Sequence, residues 1–164
     1  MNCPFYNAQY RYNDFITPNN PTIINLAGQL QSENNLISCF NYVSQQISYI
    51  TDRQNYRFEE HWAFLVETLQ RGMGDCEDTT FLLASLLLAS GIDTNIVRVA
   101  IGLFQNQGHA WVEVNTTDLG WIILETTSND YYQLGRNIHR IQDGYSCGYR
   151  PMAYVYNTFC IRAQ

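Results

Sequence analysis

The chain has 164 residues, enough for one domain with a real hydrophobic core and short for two. Hydrophobic residues make up 46% and charged residues 15%, which excludes a disordered chain. The net charge is −6 and all nine cations are arginine, so neither a nucleic-acid backbone nor an anionic membrane surface is an expected partner. No apolar run approaches the ~18–20 residues of a membrane span. The opening MNCPFYNAQYRYNDF lacks a basic stretch followed by an apolar one, so no secretory signal is read. The expected setting is the cytoplasm or a larger particle, with residues 1–164 forming a single domain.

Residues 1–21 are rich in Asn, Tyr and Pro and read as an extended arm ending in a turn. Asn20 or Thr22 suits the N-cap of a helix running to about Gln31. A second helix fits SENNLISCFNYVSQQISYI, with Ser32 as N-cap and Leu36, Phe40, Val43, Ile47 and Ile50 at steps of three and four. TDRQNYRFE reads as a connector, and HWAFLVETLQRGMG as a short helix closed by Gly72 and Gly74. From Cys76 to Ser90 the pattern is helical and apolar nearly all round, with Gly91 as its stop. Such a helix is buried, and this one reads as the centre of the fold.

Strand patterns follow. TNIVRVAIGLF is β-branched and alternating. GHAWVEVN puts Ala110, Val112 and Val114 on one face and His109, Trp111 and Glu113 on the other. GWIILETT groups Trp121, Ile123 and Glu125. NTTDLG, with Asp118 and Gly120, is short enough to join the last two strands as a hairpin. Residues 129–164 read as a Tyr-rich C-terminal extension: a loop over 129–150 with one short helical turn, then a strand at AYVYNTFCI.

The five cysteines, Cys3, Cys39, Cys76, Cys147 and Cys160, are odd in number and irregular in spacing, with no CxxC. A zinc site or a redox dithiol has little support. In a reducing compartment Cys3, Cys39, Cys147 and Cys160 read as small buried hydrophobes.

Cys76 stands apart. It begins the central helix, where unpaired N–H groups and the helix dipole favour a thiolate. Asp75, Glu77 and Asp78 oppose that charge, so a cationic partner is required, and histidine is the usual one. His109 opens a strand that follows the helix, and Glu125 closes the strand paired with it, with a face parity that lets it meet His109. Asp75, Glu77 and Asp78 read first as helix-start acids satisfying N–H groups. Trp111 and Trp121 read as core or cleft packing. His61 and His139 read as surface or packing residues.

GDCEDTTFLLASLLLASGI, GHAWVEV and WIILETT, in this order, resemble the transglutaminase-like superfamily of papain-type thiol enzymes. The stretch HWAFLVETLQRGMGDCED is similar to small prokaryotic and archaeal members. The resemblance covers about residues 22–127. It implies an α+β papain-like fold, in which a central buried helix carries the nucleophile at its N-terminus and packs on an antiparallel sheet. It also implies a Cys–His–Asp triad, with Cys76 and His109 in the first two roles and Glu125 where aspartate is usual. The oxyanion donors it implies are the Cys76 backbone N–H and an upstream group. Trp62 is the candidate for that group, with His61 and Gln70 behind it. In one group of relatives, periplasmic proteases that cut adhesins, the flanking acids bind calcium. Those positions are Asp75 and Glu77 here, and no other cofactor is expected. The expected activity is hydrolysis of a peptide or amide bond in a protein or peptide substrate, through a Cys–His–Glu triad and an acyl-enzyme. The alternatives are an amine-transferring crosslinker and a non-catalytic module inside a larger assembly.

Overall fold

The computed structural model describes residues 3–4, 6–127 and 138–163. Helix α1 (Pro21–Gln29) starts where Asn20 accepts a hydrogen bond from the Thr22 N–H and Pro21 takes the first turn. Helix α2 (Asn35–Gln46) is capped by Asn34, whose side chain accepts from the Ile37 N–H. Ser32 is not the cap; its hydroxyl accepts from the Asn34 N–H and builds the turn ahead of it. The helix stops at Gln46 rather than running to Ile50. Ser48–Tyr49 (β1) pairs in parallel with Met73–Gly74 (β2), and the Ser48 and Ile50 N–H groups donate to Gly72 and Gly74 carbonyls. The stretch read as a connector carries a short helix, α3 (Asp52–Asn55). Helix α4 (Leu65–Arg71) ends at Gly72, whose φ of 64° is the left-handed cap glycine adopts freely.

Helix α5 (Cys76–Ala89) is the hub. Every residue from Glu77 to Leu87 is buried, and the chain leaves through Gly91 at φ 94°. Helices α1, α2 and α4 pack on it, and so does one face of a six-stranded antiparallel sheet. The strands are β3 (Val97–Phe104), β4 (Gln107–Thr116), β5 (Gly120–Leu124), β6 (Ile138–Arg140), β7 (Tyr149–Val155) and β8 (Cys160–Arg162), in the order β6-β5-β4-β3-β7-β8. Val97, Val99, Val112, Val114, Ile122 and Leu124 face α5. Burying each leucine of α5 contributes roughly 1.5–3 kcal/mol. The strands β3 and β4 are joined through Gln105 and Asn106, both at positive φ, as the right-handed twist of a two-residue hairpin requires.

The other sheet face carries a second, aromatic cluster: Phe104, Trp111, Tyr149, Tyr154 and Tyr156 with Ala100 and Ile123, covered by helix α6 (Ile141–Cys147). This is the packing role read for Trp111. Trp121 instead stacks on the Arg98 guanidinium.

Further sequence expectations change. The arm is not simply extended: a 3₁₀ turn over Tyr12–Phe15 drives Phe15, 1% exposed, into the core beside Trp62 and Phe81. The C-terminal strand is two strands, β7 and β8, separated by residues 156–159. Of the 129–150 loop, 138–150 forms β6, α6 and the start of β7, while 128–137 lie outside the described residues. Cys3 and Cys160 are not independent hydrophobes but a disulfide. The Tyr12 N–H donates to the Pro4 carbonyl and Arg11 to the Cys3 carbonyl, which folds the arm back onto β8. A disulfide belongs to an oxidising setting and does not fit the reducing compartment assumed for these residues. Cys39 is buried as expected, but Cys147 is exposed. Among the described residues no helix is long and apolar enough to cross a membrane.

Candidate active site

The turn into α5 is built by Gly74 and Asp78. A Cβ at Gly74 would stand 2.6 Å from the Asp78 side chain, so only glycine lets the chain close this tightly on the helix. Asp78 then reaches back to accept from the Ala63 N–H at 2.9 Å, tying Trp62–Ala63 to the helix start. Asp75 sits at the N-cap but makes no side-chain cap bond, contrary to the reading of it as an ordinary helix-start acid. Its Oδ1 and the Asp78 Oδ2 are buried without a hydrogen-bond partner.

Cys76 occupies the first helical position, with Sγ 3.1 Å from Glu77 Oε2. Burial pushes its thiol well up, and the Glu77 and Asp75 carboxylates push it further, while the Ala110 backbone N–H opposes them. The acids hold their own protons for the same reason. Burial first, then mutual repulsion, raises Asp75 to about 10 and Asp78 to about 8; burial raises Glu77 to about 7. Without a neutralising cation this corner of the protein is over-supplied with carboxylates.

His109 and Glu125 come together as the strand parity predicts. His109 Nε2 lies 2.7 Å from Glu125 Oε2, with both residues buried. Glu125 Oε2 also accepts from the Tyr149 hydroxyl at 2.7 Å, and Oε1 accepts from the Thr127 N–H at 2.8 Å. With Nε2 engaged by Glu125, Nδ1 is the ring nitrogen left for another partner. Cys76, His109 and Ala110 line one cavity of about 350 Å³.

Trp62 also lines this cavity. Its indole N–H donates to Glu60 at 2.8 Å and its ring stacks on Tyr6 of the arm. His61 and Gln70 are not among the lining residues; His61 packs on Tyr56, and Gln70 is exposed. His139 lies beside the Tyr149 ring.

Two groups of ligand-bearing side chains have their ligand atoms within 4.8 Å of one another: Asp75, Cys76 and Glu77, and Asp52, Asp75 and Asp78. An all-carboxylate set with two orphaned buried oxygens fits a hard divalent cation.

Residues 24–126 match the model of the Transglutaminase-like superfamily. The chain belongs to that superfamily. Among solved structures, chains of this shape include Legionella pneumophila LapG. The EGTA-treated form has a TM-score of 0.64 at 19% identity, over 87% of this chain and 84% of that one. The calcium-bound form has a TM-score of 0.62 at 19% identity, over 87% and 89%. At that identity the likeness concerns the fold. Among curated proteins, Centrosomal protein of 76 kDa from Xenopus tropicalis is 42% identical over 74 residues, 45% of this chain. Its counterpart from Danio rerio is 43% identical over 61 residues, 37% of this chain. The matched segments span 11% and 9% of those proteins. The superfamily core of this chain is a thiol-enzyme fold.

Sequence reasoning missed Tyr149, Thr127 and Asp52. Asp52 lay in a segment without periodicity, and Tyr149 was one of twelve tyrosines with nothing in its neighbours to single it out. The Thr127 contribution is a backbone N–H, which carries no sequence signal.

Proposed function

We propose that the protein is a thiol hydrolase of peptide or amide bonds, with Cys76 as nucleophile, His109 as base and then acid, and Glu125 as the orienting carboxylate. The observation that carries this reading is the His109 Nε2–Glu125 Oε2 contact at 2.7 Å, made by a histidine that lines the same cavity as Cys76. The Cys76 thiol passes its proton to His109 as Sγ attacks the substrate carbonyl carbon. The oxyanion is received by the Cys76 backbone N–H at the helix terminus and by the Trp62 indole N–H, which exchanges exposed Glu60 for the substrate oxygen. Collapse expels the amine, which takes the proton from His109 and leaves a thioester. Water, deprotonated by His109, then releases the acid and restores the thiol.

Asp52, Asp75 and Asp78 would hold a calcium ion, with Glu77 close to the shared Asp75, and its charge would let these carboxyls ionise inside the protein. The existence of a calcium-bound form of LapG supports this assignment.

The test is alkylation of Cys76 by iodoacetamide near neutral pH with calcium present, on the native protein and on His109→Ala. A fast reaction lost in His109→Ala supports the assignment. Equal slow rates in the two proteins overturn it.

A further inference from the structure

We propose that Tyr149 is a positioning residue for the His109–Glu125 contact, holding through its hydroxyl the carboxylate oxygen that His109 engages. The inference rests on the role proposed for His109 and deepens it.

Glu125 has one more rotatable bond than the aspartate usual at this place, and that freedom must be removed for the carboxylate to hold an imidazole in one orientation. Three donors from three separate places remove it. His109 comes from β4, Tyr149 from the first residue of β7, and the Thr127 N–H from the chain just beyond. Tyr149 and His109 share the same oxygen, each at 2.7 Å, so the hydroxyl fixes that atom rather than the carboxylate in general.

Tyr149 is itself held. It is 1% exposed, it follows Gly148 at φ 114°, and it pairs with Phe104 across β3 and β7. Its ring meets Phe104 at 4.6 Å and Trp111 edge-on at 5.0 Å. A phenol facing a carboxylate can only donate, and burial together with the Glu125 charge keeps its proton in place. The O–H also draws charge from the oxygen His109 uses, which limits how strongly Glu125 stabilises the imidazolium. The titratable and charged groups around the imidazole are Glu125 and Tyr149 on one side and, on the walls of the cavity it lines, Cys76 with Asp52, Arg53, Glu59, Glu60, Asp75 and Glu77.

The experiment is NMR of the His109 imidazole in the native protein, in Tyr149→Phe, in Glu125→Gln and in the double variant, with His109→Ala to assign the signal. Tyr149→Phe keeps the ring packing. It should move the His109 titration midpoint upward by about 0.5–1 pH unit, the size of one lost hydrogen bond. The shift should vanish when the same change is made on Glu125→Gln. A structural role would perturb His109 equally in both backgrounds. No shift, or the same shift in both, overturns the proposal. If Tyr149→Phe does not fold, the native protein still decides it: a slowly exchanging Tyr149 hydroxyl proton with a cross-peak to the His109 ring is required, and its absence overturns the proposal. The imidazole is read directly, so the result is independent of whether Cys76 turns over a substrate.

Discussion

His109 and Glu125 are 16 residues apart in the chain and 2.7 Å apart in space. The register of β4 and β5 explains both the meeting and the choice of residue. Leu124 pairs with Val112, so the next position falls level with Trp111 and diagonal to His109. A diagonal neighbour on one sheet face is within reach of a long side chain, which favours glutamate here.

Replacing Glu125 by glutamine keeps the shape of this arrangement and removes its charge. The rate of Cys76 acylation by an activated peptide ester is expected to fall on the order of 10²–10⁴-fold. Glu125→Asp, too short for the diagonal, should fall most of the way as well. Stopped-flow measurement of both variants checks this, and native rates in either would refute the role of the carboxylate.

The carboxyl cluster at the helix start gives a pH-dependent stability. Asp75, Glu77 and Asp78 are raised to about 10, 7 and 8 in the folded chain, from unfolded values of about 4. An acid with a raised folded pKa leaves stability intact below its unfolded value and erodes it as pH rises toward the folded one. In EDTA, stability should therefore decline from about pH 4 upward through about pH 10, the raised value of Asp75. Added calcium should raise the melting temperature, and more at about pH 7.5 than at about pH 5. Thermal unfolding by circular dichroism decides it; a melting temperature indifferent to calcium at both pH values would exclude the cation site.

Much of this arrangement was legible in the sequence because it follows from periodicity. An apolar circumference marked α5 as buried, and alternation put His109 and Glu125 on one face. Asn20 was legible as a cap, and Gly91 as a stop, from their own chemistry. The failures have physical causes too. Ile47 and Ile50 fit a helical spacing, and the Ile47 N–H still donates to the Val43 carbonyl, but the Ser48 and Ile50 N–H groups donate to Gly72 and Gly74 instead, a pairing no local pattern encodes. Cys3 and Cys160 are 157 residues apart, and only the folded arm brings them together. Asp75 looked like a cap because caps are commonly acidic; its Oδ1 is instead buried and unpaired, beside an Asp52 carboxylate that arrives from 23 residues upstream.

The Cys3–Cys160 disulfide closes a loop of nearly the whole chain. Opening it in Cys3→Ser/Cys160→Ser restores conformational freedom to the unfolded state and should lower stability by about 2–5 kcal/mol. Urea unfolding of both forms under non-reducing conditions measures the difference. The arm it secures carries Tyr6, which stacks on Trp62 at 4.7 Å and whose hydroxyl accepts the Trp62 N–H. The double variant should therefore also show altered Trp62 fluorescence before global unfolding, and an unchanged spectrum would mean the arm holds without its covalent tie.

Arg98 and Glu113 form an ion pair at 2.6 Å on the sheet face opposite α5, with side chains 12% and 0% exposed. The guanidinium lies between the rings of Trp121 and Tyr154, at 3.8 and 3.6 Å from their centroids, and Glu113 also accepts from the Trp111 indole N–H. Burial alone would favour a neutral Glu113, and Arg98 is the charge that opposes this. Arg98→Met preserves bulk but leaves a buried carboxylate without its partner, a loss of about 3 kcal/mol. The double change Arg98→Met/Glu113→Leu removes both charges and should recover most of that loss, because no desolvated charge remains. A double-mutant cycle by chemical denaturation measures the coupling. If the double variant is no more stable than Arg98→Met, the aromatic stacking of the guanidinium outweighs the ion pair on this face.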